Sequence, residues 1–239
     1  MTEETTGAVV KMSQVTALLD SGALDSLREN FSQLRILMSR YRCAMMEVET
    51  KFKVLNEQFS LHNDRNHIES IRSRLKSMDS ILEKLRRKDL PLSVESVEEN
   101  LNDVAGVRVI CPFVNDIYVL VDCLLRQDDV TLLQVKDYIK HPKANGYRSL
   151  HLIITVPIFL EDETKTMKVE VQLRTIAMDF WASLEHQMRY KKDIPPSMAA
   201  KLAADLGECA DISAMLDQRM QDIKGHIETD ATPATRWDG

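Results

Sequence analysis

Leu27, Phe31, Leu34, Met38, Tyr41, Met45, Val48, Phe52, Leu55 and Phe59 follow one another at spacings that alternate between four and three. No other stretch of the chain restricts the fold as much. Residues spaced this way share one face of an α-helix. Neither Pro nor Gly interrupts the run. The spacing predicts a helix of more than thirty residues, roughly 50 Å long at 1.5 Å per residue. Such a helix overhangs the domain that 239 residues can build. Its apolar seam needs a partner, either another helix of the chain or another subunit. Aromatic rings along the seam suit a globular contact better than a long two-stranded coiled coil.

After this helix the pattern changes period. Residues 71–76 alternate as a short strand, and Ser77 is placed to cap a helix running to about Lys88, with Asp79 in its first turn. SVESVEENL (93–101) reads as a short helix with Ser96 and Glu99 as a capping box. The β-branched run AGVRVICPF (105–113) predicts a buried strand, and Asn115 a cap for the helix behind it. Further strands are expected over 130–139, 149–160 and 166–174, the last two paired as a hairpin through EDETK. Residues 175–192 read as a helix with Ile176, Phe180, Leu184 and Met188 on its apolar face. Pro195-Pro196 ends it, and 197–227 reads as a last amphipathic helix with Leu202, Leu206, Met215 and Leu216 inward. The expected division is a helical arm (1–70), a core (71–192), a C-terminal helix (193–228) and a disordered tail (229–239).

Composition narrows the function classes. No run of about 18 uncharged apolar residues exists, so no membrane span is expected, and the N-terminus lacks the basic-then-apolar order of a signal peptide. Cys43, Cys111, Cys123 and Cys209 are scattered without CxxC or Cys/His pairing, as in reduced thiols of a cytoplasmic protein. The net charge of −6 argues against long nucleic acids as partners. It is unevenly spread: −2 over 1–70, +1 over 71–192 and −5 over 193–239. Within the middle, 71–88 carries +5. Such a run is ordinarily a solvated helix face; it also suits a polyphosphate, whose oxygens Arg and Lys neutralise.

Polar residues at strand ends point to a site. Asp103 precedes the buried strand, and Arg108 lies within it, where a charge requires a partner or ligand. Glu170, Gln172 and Arg174 alternate with apolar residues and share one sheet face. That face is either solvated or a site. Residues 136–151, KDYIKHPKANGYRSLH, form a basic loop whose Asn145-Gly146 turn precedes Tyr147, a ring suited to stacking on a base. Asp103 and Glu170 could share a Mg²⁺ that also takes substrate phosphates. No GxxxxGK[ST] or GxGxxG occurs.

SRLKSMDSILEKL (73–85), DVAGVRVICPF (103–113), KDYIKHPKANGYRSLHL (136–152) and VEVQLRTIAMDFWASLEH (169–186) together resemble the synthetase domain of RelA/SpoT-type enzymes. The likeness spans about 25–225 and is greatest to the stand-alone small alarmone synthetases of the RelP type. It implies an α+β fold: a mixed β-sheet, nucleotidyltransferase-like synthetase core flanked by long N- and C-terminal helices. It implies transfer of the β,γ-pyrophosphate of ATP to the ribose 3′-OH of GDP or GTP, giving ppGpp or pppGpp and AMP, in the cytoplasm and without hydrolase activity. By resemblance Asp103 binds Mg²⁺, and Glu170 assists the metal and acts on the 3′-OH. Arg74, Lys76, Lys84 and Arg108 hold ATP. Tyr147 stacks on guanine, Lys143 and His151 lie around the phosphates and ribose of GDP or GTP, and Asp179 faces the guanine edge. Small members are homotetramers. The alternatives are a toxin-like relative that pyrophosphorylates tRNA 3′ ends and a nucleotide sensor without catalysis, the latter disfavoured by the intact Asp103 and Glu170.

Overall fold

A computed structural model describes residues 21–63, 65–189 and 195–230. The periodic N-terminal run forms one helix, α1 (Ser21–Asn63). Leu37, Tyr41, Ala44, Val48, Phe52 and Leu55 are buried along it; of the expected seam, Leu34, Met38, Met45 and Phe59 are only half-buried, and Leu37 and Ala44 are buried beside it. The side chains of Leu27 and Phe31 lie outside the described residues.

The chain forms two compact units, cut differently from the division expected above. One takes residues 21–40 with Ser77–Leu101; the other takes Tyr41–Lys76 and the chain from Asn102 onward. The first holds two short helices, α2 (Met78–Arg87) and α3 (Val94–Asn100). Ser77 caps α2 as expected, its Oγ accepting from the Ser80 N–H, with Asp79 in the first turn and Lys84, Arg86 and Arg87 in the last, the arrangement the helix dipole favours. The α3 cap is Ser93, not Ser96: the Ser93 Oγ accepts from the Ser96 N–H. The helix expected over 93–101 thus forms, with Ser96 buried within it and not at its cap.

The second unit is built on a sheet of β1 (Ser70–Leu75), β2 (Ala105–Cys111), β3 (Thr131–Asp137), β4 (Leu150–Phe159) and β5 (Thr164–Thr175) in the order β1-β2-β5-β4-β3. Only the β2–β5 pair is parallel. The 149–160/166–174 hairpin forms as expected, with strands β4 and β5 antiparallel. Side chains alternate between faces. One face carries Val107, Val109, Leu152, Ile154, Val169, Val171 and Leu173, all buried. Helix α4 (Val114–Leu125) lays Ile117, Leu120, Val121 and Leu124 against β2 and β5 on that side. The α1 seam is tied there too, where the Ser73 Oγ donates to Glu49 at 2.6 Å. Asn115 does not cap α4. The helix starts at Val114 behind Phe113 without a side-chain cap, and the Asn115 N–H is taken by Gln221.

Helices α5 (Ile176–Arg189) and α6 (Pro196–Asp230) follow. Helix α6 runs two residues into the expected tail; 231–239 lies outside the described residues. The apolar face expected on α5 is left facing outward: Ile176 is 51% and Phe180 66% exposed, while Met178, Trp181 and Ala182 are buried. On α6, Leu206 is buried as expected, but Met215 and Leu216 are 65% and 55% exposed. Trp181 decides the α5 face, since its indole N–H donates to the Leu206 carbonyl and seats that side on α6.

Candidate active site

The opposite sheet face is polar, and register fixes its order. Residues paired across neighbouring strands point to the same face. Arg72 pairs with Arg108, Arg108 with Gln172, Gln172 with His151 and His151 with Lys136. One row of polar side chains therefore crosses all five strands. The next row contains Arg74, Gly106 and Glu170. A Cβ on Gly106 would make only ordinary contacts, so the fold does not require glycine there; its missing side chain leaves the face open beside Glu170.

These rows line a cavity of about 380 Å³ with Arg72, Arg74, Lys76, Asp103, Arg108, Glu170 and Gln172 on its walls. Asp103 sits in the turn before β2, and the Lys76 Nζ reaches its Oδ2 at 3.0 Å. Glu170 takes a hydrogen bond from Gln172 Nε2 at 3.0 Å and meets His151 Nδ1 at 3.4 Å. Burial pushes the Glu170 carboxyl up, but the hydrogen bonds from His151 and Gln172 outweigh it; the carboxyl lies below its ordinary range although Asp103 repels it.

A chain of donors runs into Glu170 from the basic loop that carries Tyr147. Arg174 Nη2 donates to the Tyr147 hydroxyl oxygen at 2.7 Å, and that hydroxyl meets His151 Nε2 at 2.8 Å. Arginine has donors only, so the Tyr147 proton is free to point at Nε2. This order assigns the His151 proton to Nδ1, the atom facing Glu170. Tyr147 leaves the turn that Gly146 makes at φ 84°, a left-handed conformation that glycine adopts at low cost. A Cβ on Gly146 would collide with the Ala210 Cβ of α6. The turn thus rests on the C-terminal helix, in a cluster of Trp181, Ala182, Leu206 and Ala210 that Tyr147 joins. The Lys143 ammonium lies 4.6 Å from the centroids of both the Tyr138 and Tyr147 rings.

Asp179, in the first turn of α5, sits among three guanidinium groups. Its Oδ1 is 3.1 Å from Arg174 Nη1 and 3.5 Å from Arg108 Nη1; its Oδ2 is 3.5 Å from Arg72 Nη1. Arg108 also reaches Gln172 Oε1 at 3.4 Å. The structure thus brings together Asp103, Glu170, Arg74, Lys76 and Arg108 in one cavity, and links Tyr147, His151 and Asp179 to it. Lys84 lies on α2, in the other unit. Arg72, Gln172 and Arg174 had no assigned role; the signal was there in the alternation Arg72-Arg74-Lys76 and Glu170-Gln172-Arg174.

The donor set fits Mg²⁺. No three His, Cys, Asp or Glu side chains converge among the described residues. Two carboxylates on a cation-lined cavity are what Mg²⁺ takes when phosphates and water complete its shell.

A family model described as "Region found in RelA / SpoT proteins" matches residues 73–195. The GTP pyrophosphokinase YwaC of Bacillus subtilis is 41% identical over 207 residues, covering 86% of this chain and 97% of that protein. Small alarmone synthetase 1 of B. subtilis bound to its product pppGpp superposes with a TM-score of 0.73 at 36% identity, over 82% of this chain and 99% of that one. The same synthetase bound to AMPCPP gives 0.68 at 33%, over 83% and 99%.

Proposed function

Because the chain belongs to the RelA/SpoT family, we propose that it is a small alarmone synthetase, moving the β,γ-pyrophosphoryl group of ATP to the ribose 3′-OH of GDP or GTP. The 3′ oxygen bonds to the β-phosphorus, the bridge between the α- and β-phosphates breaks, and AMP leaves. The product is ppGpp or pppGpp. One observation carries the reading: a carboxylate held ionised, Glu170, shares a cavity with a second carboxylate and four cationic side chains.

Each residue then has a task. Glu170 accepts the 3′-OH proton, which a hydroxyl must lose to become a competent nucleophile. His151 and Gln172 hold its carboxylate in place by hydrogen bonds. Arg74, Lys76 and Arg108 take the ATP phosphates, so that positioning and charge neutralisation lower the barrier. Lys84 joins them by resemblance alone. Tyr147 offers its ring to guanine, with Lys143 swinging from that ring to the phosphates of GDP or GTP. Asp103 and Glu170 would hold Mg²⁺, which supplies Lewis-acid neutralisation of the transferring group.

No helix among the described residues is long and apolar enough to cross a membrane. ATP and guanine nucleotides as substrates fit work in the cytoplasm. We read the assembly as a homotetramer. The outward stripe of α5 (Ile176, Phe180, Leu184, Met188) and α6 residues such as Ile212 and Met220 line an apolar groove of about 790 Å³ that suits a contact with another copy. Light scattering coupled to size exclusion checks the mass.

Nucleotide chromatography after incubation with ATP, Mg²⁺ and GDP or GTP tests the activity. We expect AMP and a 3′-pyrophosphorylated product in equal amounts. ATP consumed without such a product overturns the reading, and so does transfer to tRNA in place of GDP. Glu170→Gln should cut turnover by roughly a thousandfold or more with unfolding temperature unchanged; turnover near the wild-type rate removes Glu170 from its role.

A further inference from the structure

Resemblance sets Asp179 against the guanine edge, yet both of its carboxylate oxygens face arginines. Reading guanine N1–H and N2–H₂ would need those same two oxygens. Three strands send the arginines: β1 gives Arg72, β2 gives Arg108 and β5 gives Arg174. Arg72 and Arg108 are direct cross-strand partners, and like charges in that relation repel. Arg108 and Arg174 are crowded as well, each with a buried Nε that has no hydrogen-bond partner among the described residues. Asp179 is the anion that these three cations share, and its side chain is largely buried. Arg72 and Arg108 line the cavity beyond it; Asp179 does not.

We propose that Asp179 is a positioning residue for the ATP side of the reaction: its carboxylate gathers Arg72 and Arg108 at the cavity wall, where they meet the polyphosphate, and it does not read the guanine base. One carboxylate among three guanidinium groups leaves an excess of positive charge, so the cluster is held together without being neutralised. A polyphosphate then finds cations already converged, and the ordering cost of collecting them falls on folding instead of on binding. Burial, followed by the charge of Arg174, makes Arg108 hold its proton less tightly than usual, in line with an under-neutralised group.

This rests on the synthetase reading, and its test separates the two. Asp179→Asn keeps the side-chain shape and removes the charge. We expect the KM for ATP to rise roughly tenfold, about the loss of one close ion pair. The KM for GDP should stay within about twofold and the preference for GDP over IDP should not change. Asp179→Glu, which restores the charge one methylene further out, should recover much of the ATP KM. Pairing Asp179→Asn with Arg72→Gln should cost less than the sum of the single changes, because removing Arg72 relieves the repulsion that Asp179 holds off. An unchanged ATP KM with a collapsed GDP-over-IDP preference overturns the proposal in favour of base reading. Strict additivity in the double variant overturns it as well. Should wild-type protein make no pyrophosphorylated product, the synthetase reading falls. AMPCPP binding by calorimetry still decides Asp179: weaker binding by the Asn variant supports the proposal, and equal binding overturns it.

Discussion

Two aspartates of this protein are each surrounded by cations, and they are built for different ends. Asp116, in the first turn of α4, is almost fully buried. Arg65 grips it with two hydrogen bonds of 2.8 Å, and Lys224 and the His67 ring stand 3.6 and 3.7 Å away. Arg65 and Lys224 also lie over the Phe113 ring. Asp179 is held at 3.1 to 3.5 Å by three arginines, two of which border an open cavity. The first cluster is short, bidentate and closed, and ties the start of α4 to α6 and to the segment before β1. The second is longer and open on one side. A closed ion cluster serves the fold, since breaking it strands charge in the interior. An open one leaves room for another anion.

The largest expected effect breaks the closed cluster. Asp116→Ala should lower the unfolding free energy by about 3–5 kcal/mol, as when one partner of a buried ion pair is removed. Asp179→Ala should cost far less, because its arginines can turn to solvent in the cavity. Urea denaturation of the two variants compares them directly; equal losses would erase the distinction. A smaller effect sharpens it from the ligand side. Tripolyphosphate should raise the melting temperature of wild-type protein by mass action, and this rise should shrink in Arg108→Gln but persist in Lys224→Gln. The smallest effect is in pH. Burial, and next the charge of Arg65, holds His67 below the ordinary histidine range. The folded protein therefore binds fewer protons than the unfolded chain just below pH 6.5. Its contribution is intact above that range and is lost as pH falls through it. Melting temperature should drop between pH 7.5 and 5.5, and less so in His67→Gln. A wild-type curve that is flat over this interval would show that His67 takes up its proton as readily in the folded protein as in the unfolded chain.

Alternation made the sheet legible in the sequence. Glu170-Gln172-Arg174 against Val169-Val171-Leu173 told one face from the other before any pairing was known. The motifs named most of the residues that line the cavity, because each is a short continuous stretch that runs through a strand and the turn or helix next to it. What stayed hidden depends on partners far along the chain. Arg72 and Asp179 are 107 residues apart, and no local pattern announces their meeting. The outward stripe of α5 was hidden for a related reason: periodicity shows that a helix has an apolar face, but not which neighbour will cover it. Trp181, by donating to Leu206, turned the other face inward. The Ser93 cap was missed because Ser93 and Ser96 both precede acidic residues, and only the path of the chain separates them.

The polar row from Arg72 to Lys136 has a consequence for how the chain finds its fold. Sheet pairing has a side-chain period of two, so a slip of one residue exchanges the faces. A slip of β2 would drive Arg108 into the layer of Val107 and Val109 and turn those valines outward; a slip of β5 would do the same with Glu170, Gln172 and Arg174. Each error buries unpaired charge. The residues proposed to handle nucleotides would therefore also act as spelling marks for assembly. A chain that pairs its strands wrongly is rejected during folding, before it can offer a defective catalyst, and that check remains only while the charges do.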